Sequence, residues 1–93
     1  MENPLVSVVM PVYNAEQFLS EAINSILNQS FSNFEFIIIN DGSTDNTENI
    51  VHSFMDDRII YIKNDTNLNI SNSLNKGISI AKGEFIANSA YTP

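Results

Sequence analysis

The sequence predicts an α/β domain in three layers, helix, mainly parallel sheet, helix, and three observations carry that prediction. Two unbroken apolar runs, Leu5 to Met10 and Phe36 to Ile39, have the β-branched-rich composition of strands buried on both faces. Between them, from Ala15, the apolar residues change to helical spacing. The alternation continues along the chain as β-α-β-α-β-α-β, which joins parallel strands by right-handed crossovers.

Strand one is expected to end at Pro11, which has no N–H for a sheet ladder. Asn14 is then placed to cap the first helix, with Gln17 three residues on in the capping-box position. Phe18, Leu19, Ala22, Ile23, Ile26 and Leu27 form one apolar stripe of that helix, and polar residues take the other face. Strand two stops at Asn40, Asp41 and Gly42, so a carboxylate and a flexible glycine stand at its carboxyl end. Ligands of open α/β sheets bind outside that end. The competing reading is a turn in which Asp41 bonds only neighbouring amides.

Ser43, Thr44 and Asp45 offer caps for a second helix, Asn46 to about Met55, with Glu48 completing a capping box after Asp45. His52 is expected to be a surface histidine rather than a ligand, and Asp56-Asp57-Arg58 a solvated charged turn rather than a metal site. Ile59 to Ile62 reads as strand three. A third helix is expected from about Ile70 to Lys82, with Ile70, Leu74, Ile78 and Ala81 inward, and strand four at Glu84 to Ala87. Gly77 inside that helix costs roughly 1 kcal/mol against alanine, which suggests a close approach there.

Ninety-three residues, 43% of them hydrophobic, suffice for one domain with a modest core. The net charge of −7 argues against general binding to nucleic acid or to an anionic membrane, both of which need a positive footprint. No cysteine is present, so disulfides and thiolate metal sites are excluded. No apolar run approaches a membrane span and no signal segment is evident, so the expected location is the cytoplasm.

Neither Gly-x-Gly-x-x-Gly nor Gly-x-x-x-x-Gly-Lys-Ser/Thr occurs, which argues against a dinucleotide oxidoreductase and a P-loop NTPase. No Gly-x-Ser-x-Gly supports a hydrolase. What remains is the pairing of Pro11-Val12-Tyr13-Asn14 with Asp41-Gly42-Ser43 on one rim of the sheet. A tyrosine face and a carboxylate suit a nucleobase, one stacking and the other accepting an imide N–H. The alternative makes Tyr13 a half-buried aromatic under the first helix.

Five ordered blocks now carry a resemblance. They are Val6 to Asn14, Ser25 to Phe31, Phe34 to Asp45, Asn75 to Ile78, and Ala81 to Ala87, and together they resemble family 2 glycosyltransferases. The resemblance implies a Rossmann-like GT-A fold with strand order 3-2-1-4, whose N-terminal half binds a nucleotide-sugar, usually a UDP-sugar, with inversion at the anomeric carbon. It implies a nucleotide site at Pro11, Val12, Tyr13, Asp41, Gly42 and Ser43, with Tyr13 stacking on the base. It also implies a divalent metal, Mn²⁺ or Mg²⁺, for the full-length enzyme.

The sequence departs from the family after Gly83-Glu84-Phe85-Ile86-Ala87. Ala90, Thr92 and Pro93 stand where the family has its acidic metal-binding motif, and the family's later catalytic base has no counterpart. The expectation is a single truncated nucleotide-binding subdomain over residues 1–93, with no metal, no catalytic residue and no turnover of its own. The open sheet edge at strand four is expected to make it a homo-oligomer. A non-catalytic binding or assembly module, or a different nucleotide-binding α/β domain, are the other readings.

Overall fold

The computed structural model describes residues 3–89. Strand β1 (Val6–Val12) lies between β2 (Phe34–Asp41) and β4 (Phe85–Asn88), and β3 (Ile59–Asn64) flanks β2. Every pairing is parallel and the order is 3-2-1-4, as expected. Helices α1 (Leu19–Leu27) and α2 (Thr47–His52) cover one face, and α3 (Ile70–Ile80) covers the other. Alternation along the strands sorts the core accordingly. Val8, Met10, Phe36 and Ile38 meet Leu19, Ile23 and Val51, while Val9, Ile37 and Ile39 meet Leu74 and Ala81. Ile37, Ile38 and Ile39 are fully buried, each worth about 1.5–3 kcal/mol by transfer from water.

Pro11 does not end β1. It sits in register with Ile39, and the strand runs on to Val12. The reason is which way its backbone faces. The Val9 carbonyl accepts from Ser89 N–H on the β4 side, and Pro11, two residues on, faces the same side beyond the end of β4. Among the described residues no strand is paired with it on that side, so its missing N–H breaks no pairing.

Helix α3 presents a different face from the one its isoleucines suggest. Ser73 and Gly77 are buried, whereas Ile70 and Ile78 are 41% and 38% exposed. A Cβ at Gly77 would collide with Val9 Cγ1 and stand 2.6 Å from Ile39 Cδ1. The helix therefore rests on the sheet through its smallest residues, which turns Ile70 and Ile78 outward.

At the opposite end of the sheet from the strand carboxyl ends, the buried Ser7 hydroxyl donates to Glu35. Glu35 accepts the Lys82 N–H, and Ser7 Oγ accepts the Gly83 N–H. This pair ties the α3–β4 connection down and sets β4 in register. All of β4 is exposed, with Phe85 at 60% and Ile86 at 47%.

Candidate functional site

The loops after β1 and β2 lie on one rim and are fastened to each other. Three consecutive amides of the first loop are taken by side chains of the second. Asn14 N–H donates to Ser43 Oγ (2.9 Å), Ala15 N–H to Thr47 Oγ1 (3.1 Å) and Glu16 N–H to Asp45 Oδ2 (3.2 Å). In return Asn14 Oδ1 accepts the Thr44 N–H at 2.8 Å. Asn14 adopts φ 48°, a left-handed conformation that asparagine tolerates better than most residues.

The capping boxes read from sequence are absent. Helix α1 starts later, after Phe18, without a side-chain cap, and α2 follows Asn46 likewise. Ser43 and Thr47 take amides of the other loop, and Asp45 takes both the Glu16 amide there and the Thr47 amide that opens α2. Burial pushes the Asp45 carboxyl up, but the Thr47 hydroxyl and the amides of Thr47 and Glu16 outweigh it and hold it below its usual value.

Asp41 is the last residue of β2, paired in register with Asn64 at the end of β3, and not part of an open turn. It is 1% exposed. Its Oδ1 accepts the Leu68 N–H at 2.7 Å and one Asn64 Nδ2 hydrogen at 3.2 Å, while its Oδ2 is buried without a partner. The chain after β3 reaches it because Gly42 leaves room: at φ 72°, a Cβ there would stand 2.8 Å from both Asn67 N and Thr66 C. Behind Asp41, Asn64 also donates to Ser73 Oγ (3.0 Å) and accepts from Lys76 Nζ (2.8 Å).

The six expected site residues are thus brought to one rim with unequal roles. Tyr13 is 46% exposed. Pro11 and Val12 are buried in β1, and the Val12 side chain belongs to the core, so only backbone remains to border a ligand there. Gly42 admits the covering segment. Ser43 is engaged by Asn14, and its own N–H donates to Asn40 Oδ1. Asn40 is in turn held by the Tyr61 hydroxyl, which donates to Glu48. The Tyr61 hydroxyl and then Lys63 hold the Glu48 carboxyl below its usual value.

Sequence reasoning missed Asn64, Leu68, Ser73 and Lys76. A signal existed for one of them: with β3 beside β2, the polar residue ending Ile-Tyr-Ile-Lys-Asn falls next to Asp41.

His52 is exposed and packs edge-on against Tyr61 at 4.9 Å. The Asp56–Arg58 turn is more than solvated charge. The Arg58 guanidinium makes two bonds to Asp56 and a third to the Leu27 carbonyl, and lies 4.6 Å above the Phe34 ring; the Arg58 amide also donates to Asp56. Among the described residues no three His, Asp or Glu side chains stand together, so these residues do not fit a divalent cation. The positions that replace the family's acidic motif, Ala90, Thr92 and Pro93, lie outside the described residues. Among the described residues no helix is long and apolar enough to cross a membrane.

The fold is thus an α/β domain with an open parallel sheet whose order reverses at β1 and a half-satisfied carboxylate at the end of β2. Residues 7–89 match the family model described as glycosyl transferase family 2, and the chain belongs to that family. It is 50% identical over 90 residues to an uncharacterized glycosyltransferase of Haemophilus influenzae, covering 94% of this chain and 28% of that protein. It is 42% identical over 84 residues to the glycosyltransferase GlyG of Streptococcus pneumoniae, covering 88% of this chain and 28% of that protein. The chain thus spans somewhat over a quarter of the length of these relatives. Among solved structures, residues 1–349 of TarS from S. aureus superpose with a TM-score of 0.85 at 30% identity, covering 91% of this chain and 26% of that one. The same protein is also known in complex with UDP, with a TM-score of 0.81.

Proposed function

We propose that this chain supplies the base-binding part of an inverting glycosyltransferase acting in the cytoplasm, which moves a sugar from a UDP-sugar to an acceptor hydroxyl. The observation that carries this reading is Asp41 Oδ2, a buried acceptor with no donor, at the strand end where α/β sheets take ligands. A uracil imide N–H is a donor of the required kind, whereas cytosine presents an acceptor at the same ring position. Tyr13, exposed on the adjacent loop, offers a face for stacking. The 30% identical TarS binds UDP, which supports the choice of base.

The Thr66–Leu68 segment packs over Asp41 and Gly42, and its Leu68 amide engages Oδ1, which leaves Oδ2 for the base. The chain alone binds nucleotide without transferring sugar, because the described residues include no cation-holding cluster, and it associates through the open β4 edge. UDP titrated into the wild type and Asp41→Ala tests the site. Loss of one charge-assisted hydrogen bond lowers affinity about ten- to a hundred-fold. Equal affinity in the two proteins would overturn the assignment.

A further inference from the structure

We infer that Lys76 is a positioning residue for this site: through Asn64 it reinforces the orientation of Asp41 that leaves Oδ2 for the ligand. The inference rests on the base-binding reading and adds to it a residue that touches neither base nor sugar.

The argument runs through hydrogen-bond polarity. An ammonium only donates, so its 2.8 Å contact assigns the facing atom of Asn64 as the carbonyl oxygen. The Asn64 amide is then fixed, and its NH2 must face the other way. One hydrogen goes to Asp41 Oδ1 and the other to Ser73 Oγ. Asn64 is 3% exposed and Ser73 fully buried, so neither has water as an alternative partner. Asp41 Oδ1, already holding the Leu68 N–H, is thereby given two donors, and Oδ2 none.

Carboxylate and amide groups turn easily about their last torsion. Without the Lys76 ammonium the Asn64 oxygen has no donor, and only the Asp41 carboxylate opposes a turned amide. Turned over, it sets its oxygen against the Asp41 carboxylate, and acceptor meets acceptor. Asp41 then loses its fixed orientation, and the unpartnered oxygen no longer faces the base. Ser73 and Lys76 are three apart on α3, so one face of the helix carries both ends of this relay.

The test is base selectivity, which a merely structural lysine would not move. UDP and CDP are titrated into the wild type, Lys76→Met, Lys76→Arg and Asp41→Ala, with thermal midpoints recorded alongside. Methionine preserves the length of the stem and helix propensity, so Lys76→Met is expected to fold. Its UDP affinity should fall about tenfold, as for a lost polar contact, and its preference for UDP over CDP should shrink. Lys76→Arg, which keeps a donor-only cation, should restore most of both. Wild-type affinity and selectivity in Lys76→Met, with binding lost in Asp41→Ala, would overturn the role of Lys76 and leave the base site standing. No UDP binding by the wild type, or unchanged binding in Asp41→Ala, would overturn the base site and this inference together.

Discussion

Asn14 and Thr44, thirty residues apart, hold the two rim loops as one unit through a 2.8 Å bond from the Thr44 amide to the Asn14 side chain. The Asn14 amide is simultaneously taken by Ser43, so the contact is reciprocal. Asn14→Ala loses the acceptor and strains the left-handed backbone, and is expected to cost about 1–2 kcal/mol. Asn14→Gly keeps the conformation and should cost about 0.5–1 kcal/mol. Urea unfolding with an unchanged slope measures both; equal losses would show that backbone conformation contributes nothing.

Asp41 should trade stability for binding. A buried acceptor without a donor destabilises a fold by about 1–3 kcal/mol. Asp41→Asn keeps the Oδ1 acceptor and removes the charge. Its thermal midpoint is expected to be no lower than the wild type's, while UDP affinity falls at least tenfold. A clear drop in the midpoint would make Asp41 a structural residue first.

The Asp56–Arg58 pair gives a pH dependence with a definite sign. The Arg58 guanidinium, followed by the Arg58 amide, lowers the Asp56 carboxyl from 3.8 to about 2. A carboxyl depressed in the folded state contributes stability that is fully present above its unfolded value. That contribution is lost as pH falls through the folded value. Wild type should therefore lose it between about pH 4 and pH 2, and Arg58→Ala should lose less over the same interval. Parallel acid-unfolding curves for the two proteins would dispose of the pair as a source of acid sensitivity.

The exposed β4 strand should bring chains together. Its edge, unpaired among the described residues and with Phe85 and Ile86 at 60% and 47% exposure, is a template for another strand. The expected state is a homo-oligomer, most simply a two-fold dimer. Light scattering at micromolar concentration should report more than 10.4 kDa; a monomer mass unchanged on tenfold concentration would refute it. Phe85→Lys should shift the equilibrium toward the single chain.

The strands were legible because apolar runs such as Phe36 to Ile39 survive any detail of packing, whereas their order came from the family resemblance. Three features were not, each for a non-local reason. Local capping rules placed the start of α1 at Asn14, but its amides are satisfied by residues about thirty positions away. Periodicity put Ile70 and Ile78 inward, but close approach at Gly77 turned them out. Asp41 was read as a carboxylate displayed on a strand-to-helix turn; its burial was not legible, because the segment covering it comes from beyond β3. The relay behind it joins residues 41, 64, 73 and 76, which only the folded sheet brings together.

Gly77 acts as a spacer of zero thickness. With no side chain between helix and sheet, α3 sits one methyl's depth closer to Val9 and Ile39 than any other residue would allow. Ser73 lies one turn before Gly77 and Lys76 immediately before it, so both reach Asn64 only from that height. A carbon atom at position 77 would lift both donor and acceptor away from Asn64 while leaving every site residue chemically intact. The reach of the Asp41 relay is thus gauged by a residue whose contribution is the absence of an atom.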